Sequence, residues 1–112
     1  AKTQAVVTIS KSRHKLVTKF DAAARRSSNR AEHLENAAQI MKAGVLRVGG
    51  VLLMPESLML QDKKMVGSTM IFKAESIEAV RTLVERDIYY TSGVWDLERL
   101  VILPFIAATP LP

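Results

Sequence analysis

The sequence predicts an α+β fold, with a four-stranded antiparallel sheet carrying two helices on one face, in the order β, α, β, β, α, β. Three observations lead there. Four short segments are apolar with strand-like spacing, two longer ones carry an apolar stripe at helical spacing, and Gly, Pro, Ser and Asn punctuate the junctions. With 112 residues, 48% hydrophobic and 24% charged, the chain has material for one core. One domain over residues 1–112 is expected.

Each element follows from its residues. Ala5, Val7 and Ile9 alternate with Gln4, Val6 and Thr8, which reads as a strand over about residues 3–10. Residues 11–28 are polar and basic, a basic insertion or a short amphipathic helix in which Leu16, Phe20 and Ala23/Ala24 share a face. Asn29 followed by Glu32 resembles a capping box, and Leu34, Ala37/Ala38, Met41 and Val45 form the stripe of a main helix over 30–47 with a break near Gly44. Gly49-Gly50 punctuates the chain before a short buried strand, Val51 to Met54, that stops at Pro55. Residues 55–66 form a hairpin loop with Asp62, Lys63 and Lys64 at its tip. The next strand spans 67–74, with Met70 and Phe72 on one side and Ile71 on the other. Ser76 is the expected N-cap of a second helix over 76–86, whose stripe is Ile77, Val80, Leu83 and Val84. A polar and aromatic turn, 87–93, leads to the last strand, about 98–105, and residues 106–112 are a proline-ended tail. This is the split βαβ, ferredoxin-like order.

Two helices cover only one face of such a sheet. Leu100 to Leu103, Val51 to Met54 and Met70 to Phe72 are nevertheless apolar on both faces. At roughly 25 cal/mol per Å² of apolar area, a bare second face is unfavourable in water, so a homodimer packed sheet to sheet is expected.

Composition removes several function classes. There is no cysteine, so disulfides, thiolate metal sites and cysteine nucleophiles are excluded, and with only His14 and His33 a metal site is not expected. No apolar run approaches the ~20 residues of a membrane-spanning helix, and the N-terminus enters a strand pattern without a signal-like apolar stretch. The expectation is a cytoplasmic protein with no membrane partner. The net charge of +5 is concentrated early: residues 1–30 hold eight Lys/Arg against one acid, residues 31–112 eight against ten. A basic end can attract nucleic acid. Aromatics are only 5%, however, and none interleaves with the basic run, so a solvated surface and no nucleic-acid partner are expected. Gly49-Gly50 precedes a strand and lacks the third glycine of a dinucleotide fingerprint, and no phosphate loop or nucleophile elbow occurs.

Few residues remain for chemistry. His33 falls in the first turn of the expected main helix, at the rim of its core stripe. A half-buried histidine beside a carboxylate can act as general base, whereas a rim histidine satisfied by one hydrogen bond is purely structural. Asp87 follows the second helix, where the negative dipole end disfavours a carboxylate, so a cap or charged partner is expected for it. Spacing alone does not pair the two. Tyr89, Tyr90 and Trp95 hold three of the six aromatics, a cluster able to line an apolar pocket or to fill core.

These segments together resemble the YciI-like (YCII-related) family. Its members read G-S, strand, E-A-x-S/D, helix, D-P-Y and A-G-V/L, against Gly67-Ser68, Glu75-Ser76, Asp87-Ile88-Tyr89 and Gly93-Val94 here. Arg30-x-x-His33-Leu34 is similar to the family's R-x-x-H-L, and Gly49-Gly50-Val51-Leu52-Leu53 to its A/S-G-P-L-L. The resemblance spans about residues 3–105, with 11–28 the poorest fit. It implies a dimeric α/β barrel and a histidine–aspartate site at His33 and Asp87, in a family where a few relatives are cofactor-free lyases or dehydrochlorinases of phenolic rings. Ile88 and Val51 stand where prolines are usual, so the aspartate loop is expected to be set differently. The functional expectation is a small cofactor-independent enzyme, of lyase, isomerase, cyclase or decarboxylase type, doing proton transfer on a small aromatic or polyketide-like metabolite. Asp87 would orient His33, and Arg30 would hold a carboxylate or phenolate of the ligand. Ser68, Tyr89, Tyr90 and Trp95 would line the pocket. The alternative is a non-catalytic, small-molecule-binding or stress-related dimer. An RNA-binding module ranks last, because Phe72 lacks a second platform aromatic.

Overall fold

Alternation in β1 (Thr3–Ser10) sends Ala5, Val7 and Ile9 to one side, where all three are buried. The structure is a computed structural model and describes residues 2–11 and 21–112. The face expected to carry Leu16 and Phe20 lies outside these residues. Helix α1 covers Asp21–Lys42, β2 Leu46–Leu53, β3 Met65–Ala74, α2 Ile77–Glu85, α3 Ile88–Thr91 and β4 Val101–Pro104. The strands form one sheet in the order β2-β3-β1-β4, with every neighbouring pair antiparallel. Inward residues of the strands meet Val80 and Val84 of α2 and Ala37 and Ile40 of α1, so both long helices share one face.

Several boundaries differ from expectation. Helix α1 is already formed at Asp21, so Asn29 is not its cap and His33 sits mid-helix rather than in a first turn. The Ala22-Ala23-Ala24-Arg25-Arg26 run explains this, because strong helix formers upstream override a local capping signal. Nor does α1 continue to residue 47. Gly44 adopts φ +79°, while the Val45 N–H donates to Ile40 O and the Gly44 N–H to Met41 O, both at 3.0 Å. That is a Schellman stop, which glycine makes without a Cβ penalty. Strand β2 therefore begins at Leu46, and Gly49-Gly50, expected to punctuate the chain, lies inside it, pairing with Met70 and Thr69. Pairing with β3 outweighs the weak strand propensity of glycine. Strand β4 starts later than expected, because the Asp96 carboxylate accepts the Glu98 N–H at 3.2 Å and caps a 3-10 turn over Leu97–Arg99. Helix α2 matches its pattern closely, with the Ser76 hydroxyl accepting the Ala79 N–H at 3.0 Å.

The outer sheet face is apolar in its register. Val6 opposes Leu103, Val48 opposes Ile71 and Thr8 opposes Val101. Val101, Leu103 and Leu52 are exposed there, while Val6, Val48 and Ile71 are half-buried. Beyond β4 the Phe105 N–H donates to Gln4 O, and the chain ends at the opposite sheet edge, where Arg47 Nε donates to Pro112 O at 3.0 Å.

Gly67 sits at a crowded point of the β1–β3 ladder, where a Cβ would run into the Ile9 carbonyl oxygen and approach the Ser10 Cα. Both are backbone atoms and cannot swing aside. Gly67→Ala is expected to destabilise the fold by about 1–3 kcal/mol, read as a lower urea midpoint at an unchanged slope. An unchanged midpoint would refute the tight β1–β3 approach.

Candidate active site

The site is built where α1 passes the corner between α2 and α3. Asp87, the N-cap of α3, has extended φ/ψ of −69° and 140°, and its Oδ1 accepts the Tyr89 N–H at 2.8 Å. The same carboxylate faces α1, and His33 Nδ1 donates to its Oδ1 at 2.8 Å and lies 3.0 Å from Oδ2. The side chains of His33 and Asp87 are only 16% and 8% exposed. Asp87 thus has both kinds of partner that its position after a helix demanded, a cap and a basic side chain. An ionised carboxylate can only accept, so Nδ1 carries a proton, and in the neutral ring it is Nε2 that holds the lone pair. Among the described residues Nε2 has no hydrogen-bond partner.

Aromatic rings fix the imidazole from two further directions. Tyr89 stacks on it with ring centroids 3.9 Å apart and planes 6° from parallel. Trp95 meets both rings edge-on, at 5.8 Å from each. Carboxylate, stacked face and perpendicular edge together leave the ring one orientation.

His33, Asp87, Ser68 and Trp95 form one end of a cavity of about 210 Å³ between α1, β2 and β3. Its walls are otherwise apolar, among them Ile40, Leu46, Met70, Phe72 and Leu83. Leu34, Met41 and Val51 border it and are half-exposed or more, marking the mouth. The expected site residues divide. Ser68 and Trp95 line the cavity beside His33 and Asp87, whereas Tyr89 backs the imidazole without being a described wall residue. Tyr90 is half-buried against the core, and Arg30 is exposed on α1; neither is among the described wall residues. Sequence reasoning missed the walls contributed by Leu46, Gly49, Gly50 and Leu83. In sequence these are indistinguishable from core positions, and only the adjacent glycines hinted at missing side-chain volume. Among the described residues no group of three or more His, Cys, Asp or Glu side chains is placed to hold a metal ion, and no helix is long and apolar enough to cross a membrane.

Fold and site together define a ferredoxin-like α+β domain with a histidine–aspartate pair at the end of an apolar cavity. The model of the YCII-related domain matches residues 5–106, and the chain belongs to that family. Its relatives include fusaric acid biosynthesis protein 2 of Gibberella moniliformis, 38% identical over 85 residues, covering 76% of this chain and 82% of that protein. The protein of the same name from Gibberella fujikuroi is 36% identical over the same lengths. Among solved structures, 5-chloro-2-hydroxyhydroquinone dehydrochlorinase of Burkholderia phenoliruptrix AC1100, in complex with 2,5-dihydroxybenzoquinone, shares the fold with a TM-score of 0.69. That match covers 91% of this chain and 93% of the other at 24% identity.

Because one carboxylate serves two contacts, its removal is costly. Asp87→Ala is expected to lower stability by about 2–3 kcal/mol, from a lost N-cap and an unpaired, largely buried His33 N–H. Asp87→Asn keeps an acceptor for the Tyr89 N–H and should cost about half as much. Thermal melts of the two variants measure this, and equal losses would show that the cap contributes nothing.

Proposed function

We propose that the chain is a small enzyme that needs neither metal nor organic cofactor and moves protons on a small aromatic or polyketide-like molecule. The observation that carries the reading is the Nδ1–Asp87 hydrogen bond, which leaves Nε2 of a cavity-lining histidine as a base. His33 takes a proton from a phenolic hydroxyl or from a carbon beside a carbonyl. Asp87 holds the ring and stabilises the imidazolium that forms. The imidazolium then returns the proton to another atom of the same molecule or to a leaving group, which is sufficient for elimination, isomerisation or cyclisation. Cavity size supports a single ring: about 150 Å³ accommodates benzene, so 210 Å³ suits a ring with a few substituents. The relatives named for fusaric acid biosynthesis, and a fold neighbour that acts on a chlorinated hydroquinone, support small-molecule ring chemistry.

We also infer that the chain works as a homodimer through its outer sheet face, since exposed Val101, Leu103 and Leu52 form an apolar surface that a second copy would cover. Light scattering at micromolar concentration should give about twice 12.4 kDa. A stable monomer would overturn this assembly.

Catalysis is tested on hydroxylated quinones and hydroquinones, including 5-chloro-2-hydroxyhydroquinone. His33→Ala should lower turnover ~10²–10⁴-fold, by more than any loss in its binding of 2,5-dihydroxybenzoquinone, while circular dichroism shows the variant still folded. Asp87→Asn should lower turnover ~10²-fold or more, because the charge that stabilises imidazolium is gone. Wild-type rates in His33→Ala would leave only the ligand-binding reading.

A further inference from the structure

We propose that Ser68 is a second polar anchor of the cavity, so that the site selects rings carrying two hydrogen-bonding groups, one for His33 and one for Ser68. This rests on the reading of the cavity as a substrate site, and it names what the substrate must carry.

The inward positions of β3 are Ser68, Met70, Phe72 and Ala74, all buried. Three are apolar, and the fourth places a hydroxyl in the cavity wall at 6% exposure. Strand β3 is paired on both sides, with Ser68 opposite Ile9 of β1 and Val51 of β2, so neighbouring ladder groups are occupied by one another. Among the described residues no side-chain hydrogen bond of Ser68 is found; the fully buried side-chain atoms without a partner are Ser92 Oγ and Trp95 Nε1, whereas Ser68 lies in the cavity wall. The molecule treats its other buried serines differently. Ser57, at 0% exposure, donates through Oγ to Met54 O at 2.8 Å and accepts the Lys64 N–H at 3.0 Å, which folds the β2–β3 loop. Ser92 Oγ is buried without a partner, but it lies beyond α3 and does not line the cavity. Ser68 is therefore the buried hydroxyl that is both unpaired and aimed at a space large enough for a ring.

A hydroxyl can donate or accept, so it suits a phenol, a carbonyl or an enol equally. In an apolar enclosure a group meant to meet hydrogen bonds discriminates strongly against analogues that lack them. The substrate class is thus a ring with two oxygen functions, one placed to exchange its proton with His33 Nε2 and another held by Ser68.

The test titrates the protein with phenol, catechol, resorcinol and hydroquinone. Binding is read by quenching of Trp95, the single tryptophan and a cavity residue. At least one diol should bind wild type about tenfold more tightly than phenol, a ratio of the size one hydrogen bond supplies. In Ser68→Ala that ratio should fall below about twofold with phenol affinity unchanged. His33→Ala, which tests the catalytic reading separately, should lower turnover ~10²–10⁴-fold whatever the diol preference. A diol preference surviving in Ser68→Ala, or equal binding of all four probes by wild type, would overturn the role of Ser68 and leave the His33 chemistry standing. No binding of any probe at millimolar concentration would overturn both this inference and the aromatic-ring reading.

Discussion

The Asp87 carboxylate ties together three parts of the chain that have no other reason to meet at that point. It starts α3 by accepting the Tyr89 N–H, it follows directly on α2, and it holds His33 of α1, 54 residues away in sequence. Because Tyr89 is fixed by that cap, its ring is delivered flat against the imidazole that the same carboxylate grips at the edge. Cap, orientation and stacking are therefore one arrangement. It also explains why Ile88 can stand where proline is usual: the first position of a helix has no intrahelical acceptor for its N–H, so proline is favoured there but not required. The Ile88 side chain instead packs on the core.

The cavity exists because side-chain volume is missing beside that arrangement. On β2, Gly49 shares the inward side with Met70, and a Cβ there would meet only the Leu46 side chain at 3.6 Å. At Gly50 a Cβ would meet nothing within 4 Å. Backbone crowding does not call for glycine at either position. The smallness of Gly49, on the inward side, leaves open space between α1 and the sheet edge, walled by residues that would otherwise close on each other as core. A packed interior tolerates few voids larger than water, so a 210 Å³ space with apolar walls is the natural candidate for a ligand site.

Much of the fold was legible because period-2 and helical spacing report burial directly. Ala5, Val7 and Ile9 of β1, Met70 and Phe72 of β3, and Val80 and Val84 of α2 are buried as their patterns require. What escaped were boundaries set by non-local forces. Gly49-Gly50 reads as a turn until β3 supplies its pairing, and Asn29 reads as a cap until the alanine-rich segment before it is seen as helix. Asp87 was legible as a group needing a partner, since its place after α2 is electrostatically unfavourable. That the partner would be His33 did not follow from spacing, because the angle at which α1 crosses the α2–α3 corner is a property of the packed core.

The charge content of the cavity constrains the chemistry further. Its only ionisable wall residues among those described are His33 and Asp87, one potential cation and one anion. With Arg30 exposed elsewhere on α1, a ligand that enters as a carboxylate would find no permanent cation beside Asp87, in surroundings where unpaired charge is strongly penalised. A neutral ring avoids that penalty. If His33 then takes its proton, the resulting imidazolium lies between two anions, Asp87 on one nitrogen and the new phenolate or enolate on the other. The low dielectric that disfavours a charged ligand on entry favours this alternating row once proton transfer has made it. Charge is thereby created inside the cavity rather than carried into it, and an apolar wall with one oriented imidazole is what such chemistry requires.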